Sequence, residues 1–90
     1  MPPKRRSEPR SAEHAALAQA IESLIAQNAG MTQETVADAS GMNIRQVSEL
    51  VRGQGNPTYT TLLKLSRGLG VSPGRLMSLA DELREQATRR

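Results

Sequence analysis

The sequence predicts a single all-α domain made of five short helices. Apolar residues recur at three- and four-residue spacing along most of the chain, which is the period of one helix face. Each apolar stretch follows a Ser, Thr or Asn that can cap a helix, and most stretches end near a glycine. The 90 residues contain one aromatic side chain, Tyr59, so a core of Leu, Ile, Val, Met and Ala is expected.

The first two helices are predicted from their caps and stops. Helix 1 is expected over residues 11–28, behind a Ser11 cap and before Gly30. Helix 2 is expected to follow a Thr32 cap and to end at Gly41, because glycine readily adopts the left-handed conformation common at helix ends. The inward residues are Leu17, Ile21, Leu24 and Ile25 in helix 1, and Val36 and Ala37 in helix 2.

Three more helices follow. Helix 3 is expected over residues 44–52, after an Asn43 cap, and helix 4 lies between Thr58 and Gly70. Helix 5 begins at Pro73, because proline is tolerated at the first helical position. The domain is expected to span residues 11–85, with residues 86–90 as a frayed tail. The inward residues are Val47, Leu50 and Val51 in helix 3, Leu62, Leu63, Leu65 and Leu69 in helix 4, and Leu76, Leu79, Ala80 and Leu83 in helix 5.

Positive charge is concentrated at the N-terminus. Residues 1–10 hold four basic residues and one Glu, which leaves eight basic and eight acidic residues in the remainder of a chain of net charge +3. A basic, proline-containing segment cannot bury enough apolar area to offset its ordering entropy, so a flexible arm is expected over residues 1–10. Nucleic acid is its expected partner, and a solubilising tail is the alternative. The basic residues are Lys4, Arg5, Arg6 and Arg10.

Composition excludes several function classes. The absence of cysteine excludes disulfides, thiolate metal sites and cysteine nucleophiles. No apolar run has the length of a membrane span or the pattern of a signal peptide, which favours a cytoplasmic protein without a membrane partner. The single histidine, His14, has no metal-ligand spacing and is expected to be exposed on helix 1. No catalytic residue, metal or cofactor is therefore predicted, and the chain is not expected to be an enzyme.

Helices 2 and 3 match the helix-turn-helix unit, in which two short helices are joined by a tight turn containing glycine. Further motifs follow in order, and together they cover about residues 16–80. The motif residues are 32–37, Gly41, 47–48, 52–53, 56–58, 62–65 and 69–72. With them the chain resembles the lambda-repressor-like family of DNA-binding proteins, also called the Cro/C1 or xenobiotic-response-element type. The resemblance implies a compact five-helix domain whose third helix enters the major groove.

The geometry of the major groove selects the candidate base-reading residues. Side chains on the first turns of a recognition helix meet base edges, which places Ile44, Arg45, Ser48 and Glu49 there. Arg45 suits guanine, Glu49 suits cytosine, and Ile44 suits the thymine methyl group. Alternatively, Arg45 and Glu49 form an ordinary ion pair four residues apart on a solvated helix face.

The resemblance also implies contacts to the DNA backbone. At the start of helix 2, Gln33 is expected to contact a phosphate and to brace the recognition helix. Tyr59 or Thr60 is expected to add another phosphate contact. The remaining residues expected near the backbone are Asn43, Gln46 and Arg52.

Two positions depart from the family pattern. Most relatives carry a buried Arg–Glu pair where this chain has Ala26 and Val51, and loss of both partners together is tolerated when apolar residues replace them. Ala26 and Val51 are therefore expected to face each other in the core. Gly68 lies inside helix 4, where it costs ~1 kcal/mol of helix propensity, and close packing of a neighbouring helix is the expected compensation.

A homodimer is expected because the apolar stripe of helix 5 is wide enough to reach a second subunit. Such a dimer would favour a pseudo-palindromic site in double-stranded DNA. A transcriptional regulator, most simply a dimeric repressor, is the function this predicts. The alternatives are an antitoxin that also binds a toxin protein, and a protein-interaction adaptor that has lost DNA binding. The expected interface residues are Met77, Leu79, Ala80 and Leu83.

Overall fold

A computed structural model describes residues 8–89. The predicted all-α class and the five helices are confirmed. No strand occurs within the described range. The helices are α1 (Ala12–Ala26), α2 (Gln33–Ser40), α3 (Ile44–Val51), α4 (Tyr59–Leu69) and α5 (Pro73–Arg89).

The predicted caps fix where the helices begin. The hydroxyl of Ser11 accepts a hydrogen bond from the backbone N–H of His14 at 3.1 Å, which satisfies one of the free donors at the start of α1. Thr32 and Thr58 cap α2 and α4 in the same way, each accepting from the N–H three residues later at 3.2 Å. Local sequence therefore determines these helix starts, as predicted.

The helices enclose one hydrophobic core. Helix α5 packs mainly on α1, α2 packs on α4, and α3 contacts both α1 and α2. The largest fully buried apolar side chains come from all five helices, so each helix contributes to the same core. They are Ile21, Val36, Val47, Leu65, Leu69 and Leu76.

The expectation for Gly68 is confirmed. A Cβ built on Gly68 would collide with Oγ of Ser40 and would lie 2.7 Å from the carbonyl oxygen of Val36. Helix α2 therefore approaches α4 at a point where α4 has no side chain.

The expectation for Ala26 and Val51 is wrong. Ala26 is the last residue of α1 and is exposed, whereas Val51 is 9% exposed and belongs to the core. At the C-terminal end of α1, the methyl group of Ala26 is too short to reach the core. Val51 is instead covered by other core residues.

The C-terminal helix is longer than expected, because α5 continues to Arg89 and includes residues 86–89 of the expected tail. The hydroxyl of Thr88 donates to the carbonyl oxygen of Arg84 at 3.0 Å, and the Arg84 guanidinium donates to the same hydroxyl. Arg84 also pairs with Glu13 of α1 at 3.1 Å. These contacts extend the helix past the point where its apolar stripe ends.

Residues 8–10, at the C-terminal end of the expected flexible arm, contact the domain. The backbone N–H of Arg10 donates to the carbonyl oxygen of Gly53 at 2.9 Å, so residues 8–10 lie against the domain. The remaining basic residues of the expected arm, Lys4, Arg5 and Arg6, lie outside the described residues. Among residues 8–89, no helix is both long and apolar enough to cross a membrane.

Candidate nucleic-acid interface

A tight turn orients α3 relative to α2. Gly41 ends α2 with φ 71°, in the left-handed region that glycine adopts without strain. The N–H of Met42 then donates to the carbonyl oxygen of Ala37 at 2.9 Å, which closes the helix end. Two residues, Met42 and Asn43, separate Gly41 from the first residue of α3. The two helices are therefore held at a fixed angle, as in a helix-turn-helix unit.

Helix α3 has one buried side and one exposed side. Val47 and Leu50 are 0% and 5% exposed and anchor the helix to the core. On the other side, Arg45 is exposed and Ile44 is 45% exposed. An exposed isoleucine on the first turn of a helix leaves apolar surface in water. The first turn of α3 is thus presented outward while its rear face is fixed.

Ser48 and Glu49 are half-buried one turn further along α3. Ser48 is not free, because its hydroxyl accepts from the Arg52 guanidinium at 2.7 Å. The alternative of an Arg45–Glu49 ion pair is not found among the described residues, whereas Arg84 and Glu13 do form an ion pair. The four side chains expected to read bases therefore share one helix, and Arg45 and Ile44 are the most exposed of them.

Asn43 and Gln46 both act at the start of α3. The side-chain oxygen of Asn43 accepts from the N–H of Arg45 at 2.8 Å, and that of Gln46 accepts from the N–H of Asn43 at 3.2 Å. The Asn43 side chain also accepts from the backbone N–H of Gln46, and with the bond from Gln46 back to Asn43 this forms a capping box, which stabilises the helix start. Each bond uses the oxygen of the amide, so the NH₂ groups are the ones suited to donate to phosphate.

The other residues expected near the DNA backbone lie at the starts of α2 and α4. Gln33 is the first residue of α2 and is half-buried. Tyr59 is the first residue of α4, is 74% exposed, and is followed by exposed Thr60. Backbone N–H groups at a helix start carry partial positive charge, which suits both positions to phosphate.

The charge of this surface is mixed. Residues 31–57 contain Arg45 and Arg52 as cations, alongside Glu34, Asp38 and Glu49. The helix-turn-helix unit is therefore not itself a basic patch. Attraction to a polyanion has to draw on positive charge from elsewhere in the chain.

The side chains expected at a dimer interface are not all at the surface. Ala80 is 6% exposed and belongs to the core, so it is unsuited to contact a second subunit. Leu79 and Leu83 are half-buried and pack against the same core. Met77 is 45% exposed. The helical period explains why Ala80 is buried while Met77 is exposed, since the face of α5 that carries Leu76 and Ala80 is the one that covers the core.

A groove of about 300 Å³ adjoins Met77 between α1, α5 and the segment before α4. His14 lies at its edge and is half-buried, contrary to the expectation of an exposed histidine. Its Nδ1 lies 2.6 Å from Oγ of Ser11, and its Nε2 lies 3.4 Å from Oδ1 of Asn56. In residues 8–89, no group of three His, Asp or Glu side chains is placed to hold a metal ion.

The sequence does not predict the contact between residues 8–10 and the end of α3. Gly53 directly follows the predicted helix 3, and its close approach to Pro9 requires knowledge of the fold. A proline and a glycine more than forty positions apart carry no local signal for such a contact.

This fold, with an outward-facing third helix fixed by a tight turn, defines a helix-turn-helix DNA-binding protein. The helix-turn-helix family model matches residues 23–76, more than half of the chain. The chain belongs to this family, and it is a DNA-binding transcriptional regulator. The resemblance found in the sequence is thereby confirmed.

Individual relatives agree with this assignment. The HTH-type transcriptional regulator y4dJ of Sinorhizobium fredii is 45% identical over 53 residues, which cover 59% of this chain and 69% of the relative. The restriction-modification controller protein C.AhdI from Aeromonas hydrophila has a similar structure, with 32% identity and a TM-score of 0.68 over 73% of this chain and 98% of that one. The clp gene regulator ClgR from Corynebacterium glutamicum is 28% identical, with a TM-score of 0.73 over 90% and 86% of the two chains.

Proposed function

We propose that this protein is a repressor that binds as a two-fold dimer to a pseudo-palindromic DNA site. The main observation behind this proposal is that α3 has one buried and one exposed face. Val47 and Leu50 anchor the buried face to the core, while Ile44 and Arg45 face outward. A rigid helix with exposed side chains on its first turn suits entry into the major groove. The relatives named as a restriction-modification controller and a clp gene regulator support a role in controlling transcription.

The proposed base contacts follow from exposure and chemistry. Arg45 suits bidentate donation to guanine, and Ile44 suits packing against a thymine methyl group. Glu49 is half-buried and suits acceptance from cytosine at the edge of the contact. Ser48 is the remaining candidate, and its bond to Arg52 must open or be shared if it contacts a base.

The proposed phosphate contacts surround this base-reading face. The starts of α2 and α4 supply Gln33, Tyr59 and Thr60, and the ends of α3 supply Asn43, Gln46 and Arg52. Such contacts fix the register of the protein on DNA without reading sequence. We also propose that the protein acts in the cytoplasm, where a repressor of this kind would bind DNA.

We further propose that the second subunit docks at Met77 and the adjoining groove. The floor of this groove is apolar, with Leu17 and Pro57 among its lining residues. Its rim carries Asp81 as well as the paired Glu13 and Arg84, so both signs of charge are present. In a two-fold dimer, Met77 of one subunit can contact the groove of its partner, and the same contact forms in the opposite direction. A surface that has both an exposed apolar side chain and a recess therefore suits self-association.

The proposal is tested by selecting sites for the full-length protein from a library of random DNA duplexes. Enrichment of a palindrome whose half-sites lie about one helical turn apart, ~34 Å, supports a dimeric sequence reader. Enrichment of a single half-site contradicts the dimer. If no sequence is enriched, the chain does not read DNA sequence and the adaptor alternative is favoured.

A further inference from the structure

The recognition helix α3 ends in a Schellman motif, in which two hydrogen bonds close the last helical turn. Gly53 has φ 73°, and its N–H donates to the carbonyl oxygen of Leu50 at 3.0 Å. The N–H of Gln54 donates to the carbonyl oxygen of Glu49 at 2.8 Å. The backbone around Glu49 is therefore fixed by two residues that follow the helix.

The chain that precedes α1 binds both of these residues. We call residues 8–10 the lead-in segment. The N–H of Arg10 donates to the carbonyl oxygen of Gly53 at 2.9 Å. The side-chain amide of Gln54 donates to the carbonyl oxygen of Glu8. Each end of the lead-in segment is thus bonded to one of the two residues that close α3.

Pro9 lies between these two bonds and packs on the motif. A Cβ at Gly53 would lie 2.8 Å from Cβ of Pro9 and 3.1 Å from its Cα, so Pro9 lies where a side chain at position 53 would be. Gly53 is buried, although it lies in the turn between α3 and α4. A Schellman motif commonly gains a hydrophobic contact from the residue after its glycine, but that residue here is Gln54, which is polar. The lead-in segment supplies the packing instead.

The two turns of α3 are held in different ways. The capping box fixes the first turn, which carries Ile44 and Arg45, through bonds within residues 43–46. The second turn carries Ser48 and Glu49. Ser48 accepts from the guanidinium of Arg52, the C-cap residue of the helix, so its side chain also depends on how the helix ends.

We propose that the lead-in segment is a positioning element for the second turn of α3. By holding the Schellman motif closed, it keeps Glu49 and Ser48 in place to contact bases, whereas Arg45 on the first turn does not depend on it. This inference rests on the proposed DNA-binding function. The lead-in segment acts here through uncharged hydrogen bonds and packing, so it affects discrimination between sequences and not the salt dependence of affinity.

The first test is amide hydrogen exchange in the full-length protein without DNA. Pro9→Gly and Gln54→Ala each loosen the lead-in segment by a different route. After correction for intrinsic rates, the amides of residues 53 and 54 should exchange about 2- to 10-fold faster, which is the loss expected for one hydrogen bond. The amide of Val47, on the first turn, should be unchanged. Gln86→Ala, at an exposed glutamine of α5, is the control, and circular dichroism establishes that each variant remains helical.

The second test measures discrimination at single base pairs of the selected DNA site. Glu49→Ala and Arg45→Ala first identify the base pair that each side chain reads. Pro9→Gly and Gln54→Ala should then reduce discrimination about 2- to 10-fold at the base pair read by Glu49 and leave it unchanged at the one read by Arg45. In the Glu49→Ala background they should have no further effect at that base pair. The slope of log affinity against log salt should stay the same, because no charge is removed.

Several outcomes would overturn the inference while leaving the proposed function intact. Equal losses at both base pairs would mean that the lead-in segment supports the whole fold. A lower salt slope with equal losses on selected and random DNA would mean that it acts on phosphates. Unchanged exchange at residues 53 and 54, or no base pair read by Glu49, would remove the mechanism.

Failure of the proposed function gives a different result. If the wild-type protein selects no DNA sequence, base reading by α3 fails and the inference about Glu49 fails with it. The exchange rates of the free protein would still show separately whether the lead-in segment holds the end of α3.

Discussion

Gly68 of α4 lies against Ser40 of α2 so closely that no side chain fits between them. The hydroxyl of Ser40 donates to the carbonyl oxygen of Val36 at 2.5 Å, and a Cβ on Gly68 would meet both of these oxygens. Because α2 is the first helix of the helix-turn-helix unit, this contact sets how that unit is held on the rest of the domain.

Gly68→Ala should therefore destabilise the protein, although alanine is the better helix former by ~1 kcal/mol. Overpacking a close contact costs ~1–3 kcal/mol, so after the gain in helix propensity a net loss of up to about 2 kcal/mol in the free energy of unfolding is expected. Urea denaturation followed by circular dichroism measures it. The control is Gly74→Ala on α5, where the nearest atom to an added Cβ is 3.9 Å away, and no loss is expected.

The double variant Gly68→Ala with Ser40→Ala should recover only part of this loss. Removing the hydroxyl relieves one collision, but the carbonyl oxygen of Val36 remains 2.7 Å from the added Cβ. Full recovery would mean that the hydroxyl alone sets the spacing of α2 and α4.

Sequence reasoning predicted most of the fold because its signals are local. The caps Ser11, Thr32 and Thr58 and the glycine stops Gly41 and Gly70 act within one helical turn, and the structure uses each of them. Their positions are readable without knowledge of the rest of the chain.

What the sequence did not predict depends on contacts between distant segments. The docking of Pro9 on Gly53 and the exposure of Ala26 depend on where α1 ends relative to α3. The burial of Ala80 depends on how α5 is oriented toward α1. Helical periodicity predicts which residues form the apolar face of α5, but it does not predict how much of that face the core covers. For the interface, groove geometry placed Arg45 and Ile44 on the exposed side of α3, but it did not anticipate the bond between Ser48 and Arg52.

The ion pair between Glu13 and Arg84 should make stability depend on pH. The hydrogen bond and positive charge of the Arg84 guanidinium lower the pKa of Glu13 from its ordinary value of 4.5. A carboxyl whose pKa is lower in the folded state stabilises the protein above the pKa of the unfolded chain, and this stabilisation is lost as the pH falls through the folded pKa. The affected range therefore lies below about pH 4.5.

Glu13→Gln should lower the melting temperature slightly at neutral pH and should leave the melting temperature less sensitive to acid. The effect is expected to be small because the pair is at the surface, and it should shrink further in high salt. Thermal unfolding between pH 3 and pH 7 measures it, with Glu22→Gln as the comparison at another exposed glutamate of α1. An unchanged pH profile would show that the pair does not contribute in solution.

Met77→Glu tests the proposed dimer surface. A charge on the exposed apolar side chain should be unfavourable in an apolar interface, so the protein should become monomeric where the wild type is dimeric. Loss of the second subunit should weaken binding to a palindromic site by roughly 10²-fold or more. Sedimentation and DNA titration measure the two effects.

Ser78→Glu is the matched control for charge, because Ser78 is the exposed neighbour of Met77 on α5. It should keep the dimer and most of the affinity. If both variants remain dimeric, the second subunit docks on another face of the domain.

Arg45→Ala tests direct reading of DNA. Arg45 is exposed on the first turn of α3, and its backbone N–H is already used by the Asn43 cap, so its guanidinium is the group offered to DNA. Removing a bidentate contact to guanine should cost ~1–3 kcal/mol of discrimination at one base pair of the selected site. Titration of the selected site, of variants changed at single base pairs and of random DNA measures this. Arg89→Ala, an exposed arginine at the end of α5, should leave discrimination unchanged. If Arg45→Ala weakens selected and random DNA equally, Arg45 contacts phosphate, and sequence reading passes to Ile44 and Glu49.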